Sequence, residues 1–119
     1  MFYNFTQHQL QQEQIDEGCF ELAPELKAQL KTFLTLDASN LSEFNIQVKE
    51  KSEAILRLAK LIGAEKILLG GHPGLMAAVS KKLKEINVQA VMSQSDRVSV
   101  DMPNGSKISR HQHKFFYPI

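Results

Sequence analysis

The sequence predicts an α/β fold: a small, mostly parallel sheet that closes with a β-hairpin near the C-terminus. Three observations carry this reading. "EKILL" (65–69) is a short apolar run that stops at two glycines, and a helical pattern starts straight after them. "VQAVM" (88–92) follows that helix and completes a strand–helix–strand unit, which is parallel and right-handed by rule. "RVSVDM" and "SKISRHQHKFFY" flank Pro103-Asn104-Gly105, and Asn-Gly is a strong signal for a two-residue hairpin.

The elements follow in order. "FYNF" (2–5) is short and aromatic and reads as a first strand. "LQQEQIDEG" reads as a short helix that stops at Gly18. In "APELKAQLKTFLTL", Pro24 suits a helix start, and Leu26, Leu30, Phe33 and Leu34 recur at helical spacing. "DASNLSEFN" (37–45) is a polar joint. Beyond it, Ile55, Leu58, Ala59 and Ile62 share one helix face, and Gly63 ends that helix. After the glycine loop, Leu75, Met76, Val79, Leu83 and Ile86 form the apolar stripe of the next helix. No internal repeat, low-complexity tract or second domain is visible, so residues 1–119 read as one α/β domain.

Composition narrows the function classes. A chain of 119 residues can bury a core without staples, and the single cysteine, Cys19, cannot form an internal bridge. The opening lacks the basic and apolar regions of a secretory signal, and no apolar run approaches the roughly 20 residues needed to cross a bilayer. These features lead us to expect a cytoplasmic protein without a membrane partner. The formal net charge is +1, which argues against duplex DNA as a partner. From Lys107 onward, however, the chain carries basic and imidazole groups and no carboxylate side chain, so a local anion site is possible there.

The loop Gly70-Gly71-His72-Pro73-Gly74 is the most informative segment. It follows a buried strand and opens a helix, where ligands of open α/β sheets bind. Free N–H groups and the positive helix end favour anions there, and glycines allow close approach. A plain structural turn is the competing reading. The loop is neither a Walker motif nor a dinucleotide fingerprint, because the required spacings are absent. His72 at a helix start can donate to a phosphate or transfer a proton, although an exposed turn histidine is the bland alternative.

Other polar residues are expected at the same sheet edge. Thr6 and His8 leave the first strand; Ser93, Ser95 and Arg97 lie in "MSQSDR", read as the end of the strand after the glycine helix. Hydroxyls and a guanidinium suit phosphate and ribose, though each serine alone reads more readily as an ordinary turn residue. On the last strand Arg110, Gln112 and Lys114 share one face, and His111 and His113 the other. The two histidines have no third ligand at a clear spacing, so neither a metal nor another cofactor is expected.

"LLGGHPGLMAAVSKKL" resembles the strand–loop–helix of the CRISPR-associated Rossmann fold, the CARF domain. "FYNFTQHQLQQEQIDEG" is similar to the opening of small stand-alone CARF-like accessory proteins. The whole chain also resembles short uncharacterised phage and bacterial proteins with an Asn-Leu-Thr-Gln-His start, matched here at Asn4 to His8, Gly70 to Met76, Ser93 to Ser99 and Arg110 to Phe115. The resemblance implies a small Rossmann-like homodimer that binds a cyclic oligoadenylate or related nucleotide at the dimer interface. His72-Pro73-Gly74 stands where the CARF loop has a Thr-Lys-Pro type of sequence, so the phosphate's cation would have to come from Arg97 or Arg110.

Two functions are therefore expected from different classes. In the first, Thr6, Gly70, Gly71, Pro73, Gly74, Ser93, Ser95, Arg97 and Arg110 bind a nucleotide messenger in antiviral defence or counter-defence. The protein is then a sensor, a sponge or a metal-independent ring nuclease. In the nuclease, a ribose 2′-hydroxyl attacks its own phosphate with His72, His8 or His111 as acid or base. A Gly71→Val change is expected to block phosphate without harming the fold, provided that glycine has negative φ. In the second, the protein has no small ligand and binds a host protein through Phe115, Phe116 and Tyr117.

Overall fold

Strand β1 (Phe2–Phe5) lies inside the sheet rather than at its edge, and the fold is organised around it. The computed structural model describes every residue from Met1 to Ile119. After β1 come α1 (Gln12–Asp16), β2 (Cys19–Phe20), α2 (Pro24–Leu34) and α3 (Leu41–Leu61). They are followed by β3 (Lys66–Leu69), α4 (Pro73–Glu85), β4 (Gln89–Asp101) and β5 (Lys107–Pro118). The sheet order is β2-β1-β3-β4-β5, with β5 alone antiparallel. The chain leaves β1 for β2 on one side and returns to β3 on the other. That reversal is a topological switch point, where doubly wound sheets open a crevice beyond their carboxyl ends.

Strand alternation divides the sheet into two unlike faces. One carries Phe5, Ile67, Leu69 and Ala90 and is packed by Leu30 and Leu34 of α2, Ile55 and Leu58 of α3, and Leu75, Val79 and Leu83 of α4. The opposite face has a small apolar cluster of Phe2, Cys19, Leu68 and Val91. Phe116 meets Phe2 edge-on there, with centroids 5.0 Å apart, and the Lys66 ammonium sits 4.5 Å above the Phe2 ring. Burial pushes the Cys19 thiol up to about 12, with the charge of Glu21 adding to the effect.

Four details differ from the sequence reading. The joint before α3 is shorter, because the Asn40 side chain accepts from the Glu43 N–H at 2.9 Å and caps the helix from Leu41 onward. The two-residue strand β2 is new; it is too short to leave a periodic signal. β4 does not stop near Met92: antiparallel pairing with β5 extends it to Asp101, so Ser93, Ser95 and Arg97 are strand residues rather than loop residues. The hairpin loop has three residues, Pro103 to Gly105. Met102 N–H donates to Ser106 O at 2.8 Å, and Gly105 has φ +84° while Asn104 does not turn left-handed. Pro103 fixes a negative φ at the first loop position, which favours a type I turn closed by a left-handed glycine over the two-residue form.

β3 pairs only with Gln89 to Val91 of β4, so the rest of the β4–β5 ribbon projects as an arm. The radius of gyration is accordingly 15.9 Å, against about 13.5 Å for a compact chain of this length. No helix is long and apolar enough to cross a membrane.

Candidate functional site

The turn after β1 is built by one buried side chain. Asn4 Oδ1 accepts from the Thr6 N–H at 2.9 Å and the Thr6 hydroxyl at 2.7 Å, an Asx turn that ends the strand. Asn4 Nδ2 donates to the His8 carbonyl at 2.8 Å and to Glu21 Oε1 at 2.7 Å. Glu21 also accepts from Lys27 Nζ at 3.0 Å and, through its other oxygen, from the Leu10 N–H at 3.0 Å. Partial burial pushes this carboxyl up, but the hydrogen bonds from Asn4, Leu10 and Lys27 outweigh it and hold the group below its ordinary value. The polar loop is thus pinned to β1 and β2 with its backbone satisfied.

A cleft of about 430 Å³ opens beside this turn, at the carboxyl ends of β1 and β3 and along β4. Thr6, His8, Gly70, Ser93, Ser95 and His111 line it, together with Gln9, Gln11 and Gln14, and no carboxylate does. Gln11 closes one wall. Its amide accepts from the His113 N–H at 2.9 Å and donates to the His111 carbonyl at 3.1 Å, which seals a stretch of the outer edge of β5. Gln14 Oε1 in turn accepts from the Gln11 N–H at 2.8 Å.

Behind the cleft lies a second polar chain. Ser93 Oγ is 2.5 Å from His113 Nδ1, and His113 Nε2 is 2.7 Å from Glu17 Oε2. The His113 side chain is 1% exposed, against 45% for Glu17. An ionised carboxylate can only accept, so in the neutral ring Nε2 carries the proton and Nδ1 accepts from the serine hydroxyl. His113 therefore has no free nitrogen for the strand-pair metal site considered from the sequence. No three His, Cys, Asp or Glu side chains converge to hold a metal.

The structure brings six of the expected site residues together: Thr6, His8, Gly70, Ser93, Ser95 and His111. The remainder of the glycine loop lies elsewhere. His72 is the N-cap of α4: its Nδ1 accepts from the Gly74 N–H at 3.1 Å, and its ring tilts against Phe44 at 5.3 Å. A side chain at Gly74 would come within 2.9 Å of Phe44, so that glycine serves helix packing. Gly71 and Pro73 border a separate hollow with Met76, Met92 and Ile119. Gly71 has φ +154°, the condition set for Gly71→Val fails, and that substitution would strain the backbone. Arg97 lies opposite His111 in the β4–β5 ladder and Arg110 opposite Val98, both exposed on the arm.

Sequence reasoning missed Gln11, Gln14 and Glu17, gave Asn4 no role of its own, and considered His113 only as half of a metal pair. Asn4 had a signal, an Asn two residues before a Thr at a strand end, which is Asx-turn chemistry. Gln11, Glu17 and His113 act across 96 to 102 residues of sequence, a separation that no local pattern reports, whereas Gln14 reaches only the Gln11 N–H three residues away. Lys27 and Lys31 were missed too. They line a neighbouring hollow of about 360 Å³ that shares Thr6 and Gln9 with the cleft.

An open, mostly parallel α/β sheet with a crevice at its switch point defines a Rossmann-like protein. The chain belongs to the uncharacterized protein MJ1673 family, whose model matches residues 1–117. No curated protein and no solved structure matches it.

Proposed function

We propose that the protein binds a phosphate-bearing nucleotide, of the cyclic oligoadenylate class, in the cleft between β1, β3 and β4. The supporting observation is the lining itself: three hydroxyls, two imidazoles, three glutamine amides and a glycine at a switch point, with no carboxylate to repel an anion. The placing of this activity in CRISPR-linked or phage defence rests on the sequence resemblance alone. In this reading the protein works as a homodimer and is a sensor, a sponge or a ring nuclease. His8 and His111 are the histidines positioned to assist 2′-hydroxyl attack, because they line the cleft and His72 does not. Arg97, opposite the cleft residue His111, and Lys31, in the neighbouring hollow, are candidates for the cation that the glycine loop lacks.

Calorimetric titration with cyclic and linear oligoadenylates and with mononucleotides tests the reading. Saturable binding that is lost in Ser93→Val and kept in His72→Ala supports it. A silent panel overturns it and leaves the interaction module. One observation favours that second reading: Phe115 and Ile108 are exposed on the arm. Its anchor set is narrower than expected, because Phe116 is already packed on Phe2 and His113. Light scattering at micromolar concentration tests the dimer, and a monomer mass overturns it.

A further inference from the structure

We propose that Ser93 is an activated nucleophile, with His113 as its general base and Glu17 as the carboxylate that orients the imidazole. The inference rests on the cleft holding a phosphoric ester, and it assigns that ester a covalent fate. Ser93 borders the cleft, so its hydroxyl meets a bound ligand on one side and His113 Nδ1 on the other. His113 is hydrogen-bonded at both ring nitrogens and almost wholly shielded from solvent, which holds its ring orientation. Glu17 is anchored at the C-terminal end of α1, and its Oε2 accepts a hydrogen bond from the Nε2–H. Nucleophile, base and orienting carboxylate in series are the arrangement that activates a hydroxyl of ordinary reactivity.

The reaction balances without a co-reactant other than water. Ser93 Oγ attacks phosphorus as its proton moves to His113 Nδ1; the bond from phosphorus to the leaving alkoxide breaks, and that oxygen takes the proton from His113. A water then attacks the phosphoserine, gives its proton to His113, and the Oγ–P bond breaks as the proton returns to Ser93. This route leaves a phosphate monoester. Attack by a ribose 2′-hydroxyl instead leaves a cyclic phosphate and never loads the protein, so the products separate the two.

The test is reaction of the purified, full-length protein with an alkyl fluorophosphonate, followed by intact mass and peptide mapping. Fluoride is the leaving group, so an adduct on Oγ accumulates. One adduct at Ser93 is expected, absent in Ser93→Ala and retained in Ser109→Ala, an exposed serine of β5 outside the cleft. His113→Gln should slow labelling about 10²–10⁴-fold. Glu17→Gln, which keeps an oxygen acceptor for Nε2 at a half-exposed position, should slow it and change the pH profile of its rate while the melting temperature stays; a purely structural role leaves that profile in place. No adduct on the wild type, or labelling at Ser93 that is indifferent to Glu17→Gln, overturns the proposal. The probe carries no nucleotide, so the two readings fail separately: labelling with silent calorimetry overturns the nucleotide ligand, and binding without labelling overturns the nucleophile.

Discussion

The two faces of the sheet are made of the same strands and are built differently. The face under α2, α3 and α4 belongs to a cluster of 16 buried apolar residues, while the other contributes to one of four. The second face instead buries Asn4, Gln14 and His113, and every buried polar side-chain atom of the protein has a hydrogen-bond partner. Apolar packing is non-directional and tolerant of neighbours, so it suits stability. A satisfied polar network is directional and costly to break, so it suits the holding of a few groups in fixed geometry. The cleft opens on the face with the network.

The largest expected effect breaks the apolar face. Leu83 of α4 is fully buried in the large cluster, and Leu83→Ala should cost about 2–5 kcal/mol by urea denaturation. Ligand affinity of the folded fraction should be unchanged; a cleft that loses affinity equally would show that the faces are not independent.

Asn4→Leu attacks the other face. It leaves the Thr6 N–H, the His8 carbonyl and Glu21 without their buried partner, and should cost about 1–3 kcal/mol. Calorimetry should show a loss of binding out of proportion to that cost, the reverse of Leu83→Ala.

Arg97→Ala sharpens the comparison further, because this side chain lies on the cleft side of the arm yet outside the network. It should weaken an anionic ligand by about 1.5 kcal/mol, the low end for a bond to a charged group, with no change in the urea midpoint.

A smaller effect follows from Glu21. Its carboxyl titrates below the ordinary value in the folded protein. The stability it contributes is therefore present above the unfolded pKa and lost as pH falls through the folded one. Glu21→Gln should flatten the acid limb of the stability profile, read as melting temperature against pH. The smallest effect is a null one: with its thiol pushed up to about 12 and buried, Cys19 should not react with a disulfide reagent at pH 8 until the protein is denatured.

Much of the fold was legible because it is written in local periodicity. The stripes on α2, α3 and α4 and the run Lys66 to Leu69 are spacings within one element. The candidate cleft was half legible: Thr6, His8, Gly70, Ser93 and Ser95 were named because each follows or ends a strand as read from the sequence, and His111 because it lies on one face of the last strand. His72 caps α4 and does not line the cleft, and local sequence could not separate the two roles, since a histidine before a proline at a helix start is equally a cap and a ligand group. Capping was decided by the geometry of Gly74 and Phe44.

The sequence by itself determined the helices and the longer strands, apart from the two-residue β2 and the reach of β4, which side of each is apolar, and that polar groups gather after the strands. Only the tertiary structure decided which of those groups meet. The arm exists because β4 and β5 keep pairing beyond the sheet, and Ser93 finds His113, and His113 finds Glu17, across the registers of three separate elements. Periodicity reports what a residue turns toward the core; the partner at the far end of a hydrogen bond is set by sheet order and register, which local sequence does not encode.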